Sequence, residues 1–189
     1  MANFLDLLKI RRSIRDYEDK QIGIELVKEI ITESCLAPNS SHGQPWRFII
    51  VNNKPMMATL SDDSKKNLLS DLEKNPNSPI KNYEGALRNP GFNVFYNAPC
   101  LVFIGGSKKI RSLSVDCALA AAYFMLSAAE KGLGTCWVGL GSNIKDPELL
   151  SSLGMTEEYQ IVAPIIIGYP KNIPEIPERA APQILEVIS

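Results

Sequence analysis

The N-terminal segment carries three arginines within five residues, in the order Arg11-Arg12-Ser13-Ile14-Arg15. If this segment is extended, its side chains alternate between two sides, which places Arg11, Ser13 and Arg15 together. Guanidinium groups match the oxygens of a phosphate, so two of them beside a hydroxyl would suit a phosphate dianion. The alternative interpretation is that the arginines supply favourable positive charge to the C-terminal end of a short first helix.

A second polar cluster lies in segment 37–46, APNSSHGQPW, between a predicted helix and a predicted strand. Its Asn, Ser and Gln side chains offer both hydrogen-bond donors and acceptors. Such groups would suit the edge of a heteroaromatic ring that bears carbonyl and N–H groups. The alternative interpretation is an ordinary connecting loop that a buried tryptophan anchors.

A third cluster, GLGTCWVG at residues 132–139, is rich in glycine, which lets a ligand approach the backbone closely. It lacks the dinucleotide-binding fingerprint because Trp137 stands at the third glycine position. Taken alone, this segment indicates a helix C-cap that leads into a core strand. Arg179, in a proline-rich tail, is a fourth candidate whose alternative interpretation is a solvated arginine.

Composition and charge exclude several classes of protein. Of the 189 residues, 45% are hydrophobic and 22% are charged, which is typical of a globular chain. A net charge of −1 provides no global attraction to nucleic acid or to an anionic membrane, so neither partner is expected. The four cysteines follow no zinc-binding spacing and there is one histidine, so we expect no metal site. Scattered cysteines and the lack of a signal-peptide pattern predict a cytoplasmic protein.

Hydrophobic periodicity, caps and chain breakers predict the elements that would position these clusters. Helices are expected at residues 3–9, 24–36, 55–73, 115–131 and 146–153, and strands at 48–51, 98–105, 135–140 and 161–168. Residues 75–97 are expected to form a long irregular loop, and a proline-rich tail should end in an apolar strand at 184–188. Because the four inner strands are uniformly apolar, we expect a sheet covered by helices on both faces. Residues 1–189 are expected to form a single domain.

Taken together and in this order, four segments resemble the nitroreductase family of FMN-dependent oxidoreductases. They are RRSIRDY, APNSSHGQPWRF, DCALAAAYFMLSAAEKGLGTCWVG, and IIIGYP followed by PER. The resemblance implies an α+β fold, a three-layer α/β/α sandwich with a mixed, largely antiparallel sheet. It also implies a homodimer with FMN at the subunit interface and with exchange of the C-terminal arms.

The same resemblance implies which residues bind the cofactor. Residues of the first cluster would hold the phosphate and the adjoining flavin edge, and a tail arginine would join them: Arg11, Arg12, Ser13, Arg15 and Arg179. Residues of the second cluster would reach the flavin from the other subunit: Pro38, Asn39, Ser40 and Gln44. Residues of the third cluster would lie along the isoalloxazine, mainly through backbone groups: Cys136, Trp137, Val138 and Gly139.

The implied activity is a ping-pong reaction in which NADH or NADPH delivers hydride to flavin N5 and a small acceptor, such as a nitroaromatic or quinone, then removes it. No catalytic side chain is expected, although His42 is a candidate proton donor, and residues 75–97 are expected to shape the substrate pocket. Cys136 is interpreted as a packing residue in preference to a redox nucleophile. The alternatives are specialised chemistry on the same fold, either dehalogenase-like or ferredoxin-coupled, and a flavin store or redox sensor without turnover.

Overall fold

Residues 3–188, which the computed structural model describes, form six α-helices and four β-strands. The helices are α1 (Phe4–Ile10), α2 (Ile24–Ser34), α3 (Lys54–Lys74), α4 (Glu84–Arg88), α5 (Leu113–Glu130) and α6 (Pro147–Ser152). The strands are β1 (Arg47–Val51), β2 (Cys100–Ser107), β3 (Gly134–Trp137) and β4 (Tyr159–Gly168). Short 3-10 helices lie at Ser40–His42, Pro79–Tyr83 and Gly139–Ser142.

The four strands form one antiparallel sheet in the order β1-β2-β4-β3. The central strands are apolar along most of their length because both of their faces are covered, as their uniform hydrophobicity predicts. A register shift between Ile104 and Gly105 interrupts the pairing of β2 with β4. A parallel bridge joins Ser13 to Thr135 of β3. The arginine segment therefore lies beside β3 and extends the sheet at that edge.

Helices cover both faces of the sheet and complete the three-layer α/β/α sandwich. On one face, α2 and α5 bury Val27, Ile30 and Phe124 against the sheet. The small side chains of Ala120 and Ala121 also lie in this core cluster, where they let the helix approach closely. On the other face, the buried side of α3 and the segment after α4 form a second core cluster around Phe103. Each face of the sheet therefore has its own core.

Helix α5 is the most apolar helix, as the sequence predicts. Its 18 residues are long and apolar enough to cross a membrane by length and composition alone. In this fold, however, Ala120, Phe124 and Ala128 are fully buried, so α5 is a core helix. A buried core helix can be as long and as apolar as a membrane-spanning one. Val115 and Tyr123 lie on its exposed side.

Helix boundaries agree closely with the sequence signals where capping chemistry is present. The side chain of Asn3 accepts a hydrogen bond from the backbone N–H of Asp6, and that of Asp146 accepts from Glu148 and Leu149. Helix α2 ends at Ser34, two residues before the predicted end. Strand β3 ends at Trp137, three residues before the predicted end, because the chain then turns into a 3-10 helix.

Two sequence predictions are wrong within the described residues. Segment 75–97 is not uniformly irregular, because it contains a 3-10 helix that Ser78 caps and also helix α4. A salt bridge of 2.8 Å between Arg88 and Glu84 supports α4. Segment 184–188 forms no strand among residues 3–188, because no strand of the same chain pairs with it. Its apolar side chains stay exposed, and Leu185 is 96% exposed.

Candidate functional site

The arginine segment is extended and runs beside β3. The backbone N–H of Ile14 donates to the carbonyl of Thr135 over 2.9 Å. Exposure then alternates along the segment: Arg12 and Ile14 are buried, whereas Ser13 and Arg15 are exposed and Arg11 is half-buried. This is the alternation that the sequence predicts, and it forms an outward row of Arg11, Ser13 and Arg15, called here the arginine row.

Arg12 lies on the opposite side of the segment and is only 8% exposed. Its Nη1 donates to the carbonyl of Arg11 over 2.5 Å, but its buried Nε and Nη2 atoms have no hydrogen-bond partner among residues 3–188. Leaving charged donors buried and unpaired is costly, so this guanidinium is suited to an acceptor from outside the chain.

The positive charge of the cluster is not neutralised by the protein itself. Within residues 3–188, none of Arg11, Arg12 and Arg15 forms a salt bridge with a carboxylate. Since the whole chain carries a net charge of −1, this is a local concentration of positive charge. Guanidinium groups that lack carboxylate partners favour an anion, and a phosphate matches their donor geometry.

A cavity of about 430 Å³ opens beside the arginine row, within the usual range for small-molecule sites. Its lining residues come from the arginine row, from segment 75–97 and from the chain around the end of β3: Arg15, Ile80, Tyr83, Tyr96, Cys136, Trp137, Val138, Gly139 and Leu140. Backbone pairing continues past β3, because the N–H of Val138 donates to the carbonyl of Pro164 over 2.8 Å. The floor of the cavity is therefore fixed to the sheet.

Arg11 and Arg12 border a separate, smaller cleft of about 70 Å³. Gly132 and Gly134 also line this cleft, with Ala129 near the end of α5. A side chain at Gly134 would lie 2.6 Å from Ile14, so only glycine allows the arginine segment to approach β3 this closely.

The thiol of Cys136 is buried in the wall of the cavity. Burial raises its pKa, and the neighbouring Arg15 and Ser13 offset only part of that rise. A neutral buried thiol is a weak nucleophile, which favours the packing role over the redox role.

The polar loop 37–46 holds an unusual backbone conformation. Ser41, His42 and Gln44 have φ angles of 50°, 54° and 43°, in the left-handed region that non-glycine residues seldom adopt. Asn39 accepts a hydrogen bond from the N–H of Gln44 over 2.9 Å, and a contact of 3.1 Å joins the Nε2 atoms of His42 and Gln44. Strain of this kind persists where surrounding contacts hold it, and it is common at ligand sites.

A single protomer does not bring all the predicted residues together. The N–H of Ser40 donates to the buried carboxylate of Asp116 over 3.0 Å, near the start of α5, whereas Ala129 lies in the cleft of Arg11 and Arg12. At 1.5 Å per residue these two helix positions are about 20 Å apart. The cavity unites Arg15 with the third cluster: Cys136, Trp137, Val138 and Gly139. The second cluster (Pro38, Asn39, Ser40 and Gln44) is at the other end of α5, and Arg179 is exposed in the tail.

Four residues that line the cavity are not among those predicted from the sequence: Leu140, which directly follows the third cluster, and Ile80, Tyr83 and Tyr96. Ile80, Tyr83 and Tyr96 belong to segment 75–97, which is expected to shape the pocket. Aromatic residues in an otherwise polar segment were the available signal. The structure adds that Tyr96 and Asn97 both have a φ of 52°, so the backbone turns sharply where the segment reaches the cavity.

Known proteins share both the sequence pattern and the fold. The profile of the nitroreductase family matches residues 8–169. A Bacillus subtilis protein, whose name includes the words NAD(P)H nitroreductase, is 28% identical over 182 residues, covering 92% of this chain and 88% of that protein. Mouse iodotyrosine deiodinase 1 is 24% identical, covering 98% of this chain and 69% of that protein.

The crystal structure of a nitroreductase with bound FMN from Bacteroides fragilis has a TM-score of 0.81, with 26% sequence identity and 100% coverage of both chains. The family match extends over most of the chain, from α1 to the end of β4. It includes in full three of the four sequence segments that resemble the family. The chain therefore belongs to the nitroreductase family.

Proposed function

We propose that this protein is an FMN-dependent oxidoreductase that transfers hydride from NADH or NADPH to a small acceptor such as a nitroaromatic or a quinone. The proposal rests most directly on Arg15 of the arginine row, which lines a cavity of suitable size and, like Arg11, has no carboxylate partner within residues 3–188. Membership of the nitroreductase family and the FMN bound to the Bacteroides fragilis relative support it.

The residues of the first cluster fit a flavin phosphate. Arg11 and Arg15 would present guanidinium forks to the phosphate and the adjoining flavin edge, and Ser13 would donate its hydroxyl between them. The unpaired Nε and Nη2 of Arg12 are donors that an anion or an anion-bound group would satisfy. The row also stabilises negative charge that develops beside it, since its own charge is not neutralised within the protein.

Bound FMN would supply hydride transfer at its N5 atom, which is the chemistry that the protein's own side chains lack. Among residues 3–188 of one protomer, those that line the cavity include no carboxylate or imidazole for acid–base work, and Arg15 is the charged one. Its residues would instead orient the ring and the acceptor. The backbone of 136–139 would run along the flavin, and Tyr83 and Tyr96 would limit access of water and acceptor from the other side.

The functional unit in this proposal is a homodimer. Pro38, Asn39, Ser40 and Gln44 would complete the site of a second copy, which accounts for their distance from the arginine row in one protomer. Arg179 would reach the phosphate through the exposed C-terminal arm, and His42 would lie close to the flavin edge. A cytoplasmic location, a single domain, and the lack of nucleic-acid and membrane partners stay predictions.

The test is FMN affinity in arginine variants, measured by quenching of flavin fluorescence. Arg11→Ala and Arg15→Ala should each raise the Kd for FMN about tenfold or more, because a hydrogen bond to a charged group contributes about 1.5–3 kcal/mol. Arg111→Ala is the matched control, since Arg111 is an exposed arginine outside the site. Unchanged affinity in both site variants, or no FMN binding by the unaltered protein, would contradict the proposal.

A second candidate is reductive dehalogenation of an aromatic substrate. The similarity to iodotyrosine deiodinase 1 over 98% of this chain favours it, as do the two tyrosine rings that line the cavity. Turnover of a halogenated tyrosine that exceeds turnover of nitroaromatics and quinones would favour this alternative. The reverse order would favour the nitroreductase activity.

A further inference from the structure

Tyr96 contacts the arginine row directly. The Cζ atom of Arg15 lies 5.7 Å from the centre of the Tyr96 ring, within the range of a cation–π interaction. Both residues line the cavity, and Arg15 forms no salt bridge within residues 3–188. The aromatic face is thus a specific contact that can restrict this otherwise exposed guanidinium.

The turn that presents Tyr96 is held firmly. The N–H of Val94 donates to the buried Ser61 hydroxyl over 3.0 Å, and the N–H of Tyr96 donates to the carbonyl of Asn93 over 2.9 Å. The Tyr96 ring also packs edge-to-face on Phe92, with ring centres 5.8 Å apart. These contacts maintain the φ of 52° at Tyr96, a conformation that costs free energy unless its surroundings fix it.

We propose that Tyr96 is a positioning residue, which holds the Arg15 guanidinium at the cavity and thereby tunes the affinity for FMN. The inference rests on the proposed function, because FMN is the ligand that Arg15 would meet. A tyrosine in segment 75–97 then acts on cofactor binding through the arginine row, in addition to shaping the acceptor side of the cavity.

The test is a double-mutant cycle on the Kd for FMN, with Tyr96→Leu, Arg15→Met and the combined variant. Tyr96→Leu alone should raise the Kd about twofold to fivefold, as expected for loss of a cation–π contact. In the Arg15→Met background, the same substitution should have no further effect, because its action runs through Arg15. Tyr96→Phe, which keeps the ring, should restore the affinity.

Two controls separate this role from a general effect on folding. Tyr83→Leu removes another ring of the cavity, one that forms no cation–π contact with Arg15 among residues 3–188, so any effect on the Kd should be equal in both backgrounds. Circular dichroism and thermal unfolding check that each variant is folded, and Tyr96→Met replaces Tyr96→Leu if that variant is not. Equal effects of the Tyr96 substitution in both backgrounds, or none in either, would overturn the inference. If the unaltered protein does not bind FMN, the result would instead contradict the proposed function.

Discussion

Arg12 and Arg15 are three residues apart, yet their side chains are in opposite environments. Arg12 is buried with two unpaired nitrogen atoms, and Arg15 is exposed against the ring of Tyr96. The alternation of an extended segment separates them, since neighbouring side chains point to opposite sides. The first guanidinium can therefore act only on groups that reach the small cleft, whereas the second can act on groups in the cavity.

The four cysteines should differ sharply in reactivity. Burial raises the pKa of Cys100 to about 12 and that of Cys117 to about 11, the latter with a contribution from Asp116, and Cys136 is also buried. Burial also raises the pKa of Cys35, but this residue is only half-buried and is the most accessible of the four. At about pH 8 the three buried thiols stay protonated and shielded. Iodoacetamide should therefore modify Cys35 first, as peptide mass spectrometry would detect. Equally rapid modification of Cys100 or Cys117 in the folded protein would contradict this expectation.

The contact between α2 and α5 should weaken at acid pH, because it includes the Glu33 carboxylate. The hydroxyl of Ser127 donates to the Glu33 carboxylate, and the Lys131 ammonium lies 2.9 Å from it. These contacts lower the pKa of Glu33 below its ordinary value of 4.5, with the Ser127 hydrogen bond as the larger cause. A lowered pKa in the folded state means that the carboxylate stabilises the fold above about pH 4.5 and loses this effect as the pH falls further.

Glu33→Gln should therefore lower the free energy of unfolding at neutral pH. The difference from the unaltered protein should shrink as the pH falls below about 4.5. Urea unfolding at several pH values measures this difference. Glu25→Gln, which alters a largely exposed ion pair on the same helix, is the control and should have little effect. A difference for Glu33→Gln that stays constant down to acid pH would refute the role of its charge.

The element that matters most to the site is β3, because the arginine segment lies beside it. A Cβ atom at Gly134 would come within 2.6–2.9 Å of three atoms of Ile14. Gly134→Ala should push this segment away from the sheet, lower stability by about 1–3 kcal/mol and weaken FMN binding. Gly85→Ala, where nothing lies within 4 Å of the added atom, is the control. Thermal unfolding with and without FMN measures both effects, and unchanged FMN affinity in Gly134→Ala would show that the close approach is not needed.

Elements with local signals could be predicted from the sequence. Asn3 predicts the start of helix α1, and Asp146 with Pro147 predicts the start of α6, because capping is a property of a few neighbouring residues. The strands were located from runs of buried apolar residues. The short helices at 79–88 could not be predicted, because three prolines and several asparagines dominate the composition of segment 75–97. The helical turns there depend on local caps and on one ion pair.

The candidate site was harder to predict because its geometry depends on distant parts of the chain. The alternation around Ser13 could be derived locally. The contact between Arg15 and Tyr96 could not, because it requires the 92–97 turn to fold back over the end of β3. The family resemblance supplied the expectation that loop 37–46 acts from another subunit, and composition alone did not indicate this.

In the whole molecule, the C-terminal arm is tied to the chain only at its start, where Lys171 pairs with Asp16. Within residues 3–188, positions 173–188 form no hydrogen bond or salt bridge with the rest of the chain. Residues 171–188 are exposed, including Ile184, Leu185, Val187 and Ile188. A row of exposed apolar side chains is typical of a surface that another chain covers. The proposed arm exchange would bury these residues and bring Arg179 towards the second copy.

Charged residues introduced at apolar positions of the arm should therefore disrupt the proposed dimer. Leu185→Asp combined with Ile188→Asp is expected to shift the protein from dimer to monomer and to weaken FMN binding, because a buried unpaired carboxylate is costly. Sedimentation analysis measures the mass, and Glu186→Gln is the control because it changes charge without adding a carboxylate to an apolar position. A variant that stays dimeric with unchanged FMN affinity would rule out the proposed role of the arm.

The proposed function requires that the protein binds FMN and exchanges hydride through it. The most direct test is the visible absorption spectrum of the purified protein, recorded after incubation with FMN and removal of the free cofactor, before and after addition of NADH or NADPH without oxygen. We expect flavin bands that remain with the protein and that bleach on addition of the nucleotide. Failure to retain any flavin would contradict the assignment of Arg11, Ser13 and Arg15, and bound flavin that neither nucleotide reduces would contradict the proposed electron donor.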